Sequence, residues 1–184
     1  MSELDSRLDA NFSADNFALL GLPRMQGMDT AELDRRFRQL QAEVHPDRHV
    51  QADDAQRRLA MQWSTRVNEA YQILKSPGPR ALYLLTLLGH DPQVESNTAM
   101  PAEFLMRQME LRETVMEARV AGDEDALDAA RTQLLREITA EYQRLIELMD
   151  VQHDFNAAAE LVRKLMFQEK LLREIDDAIE AVTA

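Results

Sequence analysis

The chain contains no cysteine. That excludes disulfides, thiolate zinc sites, cysteine-held iron–sulfur clusters and cysteine nucleophiles together. Glycine and proline are scarce, 5 and 6 among 184 residues. No window reaches the ~18 apolar residues of a membrane span. Glycine-rich phosphate loops are missing, so the chain is not expected to bind ATP itself. Positive charge is in short supply too. Lys and Arg number 21 against 33 Asp and Glu, a net charge of −12. Phosphate contact needs dense Lys and Arg, so neither nucleic acid nor an anionic membrane is an expected partner. The first ten residues, MSELDSRLDA, are polar and acidic rather than basic and then apolar. A secretory signal is not expected there, and the expected location is the cytoplasm.

What the chain does have is apolar content, 45 %, enough to bury a core. Ala, Leu, Glu, Gln, Arg and Met fill long stretches, and short β-branched runs with alternating polarity are missing. The expected fold class is all-α. Punctuation is confined to a few places. Gly21-Leu22-Pro23 and Gly27 mark an early loop, His45-Pro46-Asp47 breaks a helical pattern, and Ser76-Pro77-Gly78-Pro79 reads as a sharp turn. Gly89 to Thr98 is the longest polar stretch and the best domain boundary. Ala121-Gly122-Asp123 and Asp150 to Asp154 are short helix–helix turns.

Asp29 is placed to cap a helix, with Glu32 as a capping-box acid. Leu33, Phe37, Leu40 and Val44 line one face of it, with Arg35 and Arg38 opposite and Arg36 on the flank. Pro46 stops that helix. A second long helix over 52–75 carries the stripe Leu59, Trp63, Val67, Ala70 and Leu74, and the two make a helical hairpin. A third, with Ala81, Leu82, Leu84, Leu85 and Leu88, ends at Gly89. Three more helices are expected near 101–120, 123–149 and 155–181, antiparallel because their connections are short. Charge divides unevenly. Residues 1–95 hold eleven basic and fourteen acidic residues, while 96–184 hold ten and nineteen.

His45, Pro46 and Asp47 stand at the tip of the hairpin. A loop there should be exposed, since buried loop backbone is hard to satisfy. Pro46 limits its shapes, Asp47 offers an acceptor to a cationic partner, and His45 offers a donor and acceptor edge. A proline turn with Asp47 capping the next segment explains the same three residues. Likewise the arginines are either a docking face or a solvated face paired with Glu32 and Asp34.

In the C-terminal half, Phe104, Leu111 and Val115 share one stripe. Leu105, Met109 and Met116 share a second, about 100° round, and Met106 lies further on among Glu110, Glu113 and Glu117. The second stripe is either a wide core face or a docking surface. Leu161, Leu165, Leu172, Ile175 and Ile179 make the core stripe of the last helix, and Phe167 is expected to project away from it. Leu105, Met106, Met109 and Phe167, rimmed by the three glutamates, would form an apolar patch suited to a protein partner.

His45 and His49 flank Asp47, but Pro46 spoils their presentation to a metal. His90-Asp91 and His153-Asp154 read as turn residues. Neither a catalytic residue, a cofactor nor a metal is expected.

A short first helix, a basic-faced second helix, His-Pro-Asp, a third helix with Asn68-Glu69-Ala70-Tyr71 and a final helix together resemble a J-domain. J-domains are modules that dock on DnaK-type chaperones and stimulate their ATPase. Val44 stands where many J-domains carry Tyr, and Glu43 adds a negative charge beside the tip. No Gly/Phe-rich segment follows. Instead Arg80-Ala81-Leu82-Tyr83-Leu84-Leu85, Glu103-Phe104-Leu105-Met106, Glu110-Leu111-Arg112-Glu113 and Val162-Arg163-Lys164-Leu165 with Phe167 resemble the HscB family, J-proteins of iron–sulfur cluster biogenesis.

The resemblance implies a tail over 1–12, a J-domain over 13–89, a linker over 90–100 and a C-terminal three-helix bundle over 101–184. It implies His45, Pro46, Asp47, Arg35, Arg36 and Arg38 as the chaperone-binding residues. For the scaffold protein, IscU, it implies Leu105, Met106, Met109, Glu110, Glu113, Glu117 and Phe167. The expected partners are an HscA/DnaK-type chaperone and that scaffold, and the expected role is co-chaperone rather than enzyme; the alternatives are a J-domain co-chaperone for a different client or a helical adaptor without a chaperone role.

Overall fold

The computed structural model describes residues 13–44, 54–94 and 99–183. Among them helix is the only regular secondary structure, and the chain divides into two compact units, Met1–Leu84 and Leu85–Ala184.

The first unit opens with one turn of helix, α1 (Asn16–Leu19). So short a helix depends on its ends. Asp15 caps it by accepting from the N–H groups of Phe17 and Ala18 at 2.9 and 3.0 Å. At the other end Leu22 N–H reaches Phe17 O and Gly21 N–H reaches Ala18 O, a Schellman closure. Gly21 sits there at φ +65°, and a Cβ on it would lie 3.2 Å from an Arg36 guanidinium nitrogen. Arg66 then ties the turn to the hairpin, donating to Asn16 Oδ1 at 2.6 Å and Ala14 O at 3.0 Å.

The hairpin consists of α2 (Thr30–Val44) and α3 (Asp54–Lys75). The expected stripes face inward. Leu33, Val44, Trp63, Val67, Ala70 and Leu74 are at most 1 % exposed. Phe37 stacks on Tyr71 with ring centroids 4.0 Å apart, and the Tyr71 hydroxyl donates to Asp34. Truncation of a fully buried Trp costs ~3–5 kcal/mol, so Trp63 anchors this unit. Asp29 caps α2 through Ala31 N–H. Glu32 faces forward rather than back into a capping box, because Arg35 and Arg36 take both of its oxygens.

The turn expected over 76–79 is tighter than its composition implies. Only Ser76 separates α3 from α4 (Pro77–Leu87), and both prolines lie in the first turn of α4, where no N–H is needed. Arg80, 5 % exposed, donates to Leu74 O at 2.6 Å and closes the end of α3. Gly89, at φ +83°, terminates α4.

The second unit is a bundle of α5 (Ala102–Ala121), α6 (Glu124–Ile146) and α7 (Phe155–Thr183). Gly122 in the left-handed region ends α5 and Asp123 caps α6. A six-residue π-helical turn, Glu147–Gln152, follows α6 and buries Leu148 and Met149. It overlaps the turn expected over Asp150–Asp154 and takes up the end of the helix expected to run to 149. Leu127, Leu134, Leu145, Leu165, Leu171 and Ile175 form the dry centre. Leu172 and Ile179 are half-buried, and Leu171 and Ala178 take their expected core places. Pro92 is tied to the bundle, since Arg163 donates to its carbonyl oxygen at 3.0 Å. Among the described residues no helix is long and apolar enough to cross a membrane.

Candidate functional site

Of the two faces singled out in the sequence, the first lies on α2. Arg35, Arg36 and Arg38 are all exposed. Glu32 binds two of them. The Arg36 and then the Arg35 hydrogen bonds hold its carboxyl below the ordinary glutamate range. Asp34 accepts from the Tyr71 hydroxyl instead. One carboxylate therefore serves two guanidinium groups, and Arg38 has no ion-pair partner among the described residues. The face keeps a net positive charge inside an acidic chain. Val44 is 1 % exposed, so the position where many J-domains carry Tyr lies in the core, off that face. His45, Pro46, Asp47 and His49 lie outside the described residues.

The second face lies on α5. Its inward stripe is Phe104, Gln108, Leu111, Val115 and Ala118. Leu105, Met106, Met109 and Met116 are 38, 58, 60 and 67 % exposed. The wide-core alternative is thereby ruled out, and Met116, which the sequence left between core and surface, belongs to the surface. Val120, absent from the sequence reading, extends the strip. At ~1.5 Å rise per residue the strip from Leu105 to Val120 runs about 22 Å. Glu110, Glu113 and Glu117 are exposed along its far side.

Phe167 is half-buried rather than projecting into solvent. Its ring stands edge-on to Phe104, centroids 6.4 Å apart at 87°. Which flank of α5 it touches follows from a second contact. Arg112 donates to Glu174 of α7 at 2.8 Å, so the Arg112 flank faces α7. Leu105 and Met109 lie within about 60° of Arg112 on the helical wheel. The structure therefore brings Phe167 to the seam bordering the Leu105–Met109 strip. Met166, the preceding residue of α7 and 41 % exposed, is a further apolar group that sequence periodicity does not flag.

On the α6 side of Phe104 the bundle opens into a groove of about 600 Å³. Lys164 spans it, 5.6 Å from the Phe104 ring centroid and paired with Glu141. Gln108 and Gln168 line it, both buried, with side-chain carbonyl oxygens unpartnered among the described residues. No group of three or more His, Asp or Glu arranged to hold a metal occurs among the described residues.

Two sequence profiles match the two units. A DnaJ domain covers residues 15–83 and an HSCB C-terminal oligomerisation domain covers 100–176. A curated relative from Aromatoleum aromaticum, a co-chaperone protein HscB homolog, is 47 % identical over 95 % of this chain and 99 % of its own length. A homolog from Ralstonia nicotianae is 49 % identical over 91 % and 96 %. The chain belongs to the HscB co-chaperone family. Solved HscB structures share its fold. Chaperone HscB from Vibrio cholerae superimposes with a TM-score of 0.79 at 35 % identity, covering 91 % of this chain and 99 % of that one. Human HscB gives 0.83 at 30 % identity, covering 90 % and 82 %.

The DnaJ match therefore falls on α1–α4, where a J-domain was expected from the sequence. The HscB match falls on the α5–α7 bundle. The α2 arginines lie within the DnaJ match, and the apolar strip lies within the HSCB C-terminal match.

Proposed function

We propose that this chain carries an iron–sulfur scaffold protein of the IscU type on the α5–α7 face and presents it to an HscA/DnaK-type chaperone. The J-domain, through Arg35, Arg36, Arg38 and the His45-Pro46-Asp47 tip, stimulates the chaperone's ATPase. The observation that carries this reading is the exposed strip of Leu105, Met106, Met109 and Met116 beside Phe167, a face apolar at its centre and acidic at its rim. Such a surface fits a partner with an apolar centre and basic surroundings.

One chain holding both partners turns a bimolecular delivery into a local encounter at raised effective concentration. The hydrolysis chemistry belongs to the chaperone. This chain sets its timing, and it works in the cytoplasm.

The description of the C-terminal domain as an oligomerisation domain raises a second reading, in which the strip meets another copy of itself. Charge disfavours it. An antiparallel contact of two strips would set Glu110, Glu113 and Glu117 of the two copies against each other, and like charges so placed are destabilising.

The deciding experiment is single-turnover ATP hydrolysis by the chaperone, with this chain and the scaffold added singly and together. Synergy between them, lost in His45→Gln while scaffold binding survives, supports the proposal. Full stimulation by His45→Gln would refute the chaperone-binding assignment. Stimulation indifferent to the scaffold would refute the client assignment.

A further inference from the structure

With no cysteine in the chain, thioethers are its only sulfur atoms, and ten methionines carry them. Met106, Met109 and Met116 stand 58, 60 and 67 % exposed along one flank of α5, and Met166 is 41 % exposed beside Phe167. In the bundle core Met149 is 2 % exposed, and Trp63, the single indole of the chain, is wholly buried. Of the six exposed methionines among the described residues, three line the strip where the partner is proposed to dock, and Met166 precedes Phe167 in α7. Leu105 and Val120 occupy the same strip, so an apolar surface there does not by itself require sulfur.

We infer that the methionine flank of α5, with Met166, is a redox-sensitive modification site that releases the client when oxidised. The inference rests on the docking reading above. The oxidant is a two-electron one of the peroxide or hypohalous-acid class. With hydrogen peroxide, a thioether lone pair attacks one oxygen, the O–O bond breaks and an S–O bond forms. The proton of the transferred hydroxyl passes to the departing hydroxide, which leaves as water. Sulfur is oxidised by two electrons and the peroxide is reduced by two. Methionine sulfoxide reductases reverse the change, with a dithiol as reductant.

The consequence for docking follows from hydrogen-bonding capacity. A sulfoxide oxygen is a strong acceptor, and burying it unpaired against an apolar partner surface is unfavourable. The glutamates on the far side of the strip are acceptors only when ionised, so that side has no donor to offer it. About tenfold weaker binding per buried sulfoxide corresponds to ~1.4 kcal/mol of such cost. Met25 and Met61, 37 and 61 % exposed in the first unit, supply an internal reference, since their oxidation leaves the strip intact.

The test treats the full chain with graded hydrogen peroxide or hypochlorous acid. Site occupancy is read by peptide mass spectrometry and scaffold affinity by calorimetry, before oxidation, after it, and after methionine sulfoxide reductase with dithiothreitol. The expected result is conversion of Met106, Met109, Met116 and Met166 ahead of Met149. Affinity falls about tenfold or more in step with these sites and returns on reduction. In a Met106→Leu, Met109→Leu, Met116→Leu, Met166→Leu variant, whatever its starting affinity, the oxidant causes no further change. Equal binding before and after oxidation overturns the inference, and so does a loss that persists in the leucine variant. Absence of binding by the untreated chain is a different failure, that of the docking reading itself, and it takes the inference with it.

Discussion

Replacing Leu105, Met106 and Met109 together by alanine tests the α5 face most directly. The three side chains are 38, 58 and 60 % exposed, so that share of each is still available to a partner. Full burial of a Leu or Met side chain contributes ~1.5–3 kcal/mol. Scaled by those exposures, and with alanine keeping its Cβ, the combined loss is about 2–4 kcal/mol, or roughly 30- to 700-fold in Kd. The same exposure makes the change mild for the fold, because surface substitutions usually stay within ~0.5 kcal/mol and alanine is the best helix former. Calorimetry against the scaffold protein measures the first effect, and thermal unfolding followed by circular dichroism measures the second. Stimulation of the chaperone by the variant alone should persist, since the J-domain is untouched. A folded triple variant that binds the scaffold within about threefold of the parent chain would refute the reasoning, because the expected loss is at least tenfold larger.

Trp63 is the single tryptophan and is buried in the first unit, so its fluorescence reports unfolding of that unit. Arg80→Met removes the donor to Leu74 O, and urea unfolding should show a loss of ~1.5–3 kcal/mol. Asp15→Ala removes the cap of α1 and should cost ~1 kcal/mol at neutral pH. That difference should close in acid. Burial raises the Asp15 carboxyl, but the Ala18 N–H, Arg24 and the Phe17 N–H outweigh it and hold it below its ordinary value. A lowered folded-state value stabilises the fold above the unfolded carboxylate range, near pH 4, and the benefit is lost as pH falls through the folded value. Fluorescence-monitored urea curves at pH 7 and pH 3 check the sign.

The sequence by itself determined the helices, because helix formation answers to short-range causes. The stripe through Leu33 and Val44, that through Trp63, Val67, Ala70 and Leu74, and the breaks at Gly89 and Gly122 are all local signals. Within the described residues each stands where periodicity put it. The chemistry of the docking strip was legible too, since Leu105, Met106 and Met109 among glutamates are conspicuous in sequence.

What only the tertiary structure decided is which apolar flanks are covered. Periodicity gives the angle of a residue around its helix, whereas coverage depends on how far the neighbouring helices wrap that helix. On α5 the neighbours reach Phe104, Gln108 and Val115 and stop, so Met116 stays outside. On α7 they reach further, and Phe167, expected in solvent, leans half-buried against Phe104. The wide turn over Glu147–Gln152, which buries Leu148 and Met149, has the same origin. It is settled by what packing brings within reach, and a single helix read alone carries no record of that, whereas the turn of Glu32 toward Arg35 and Arg36 is local to α2.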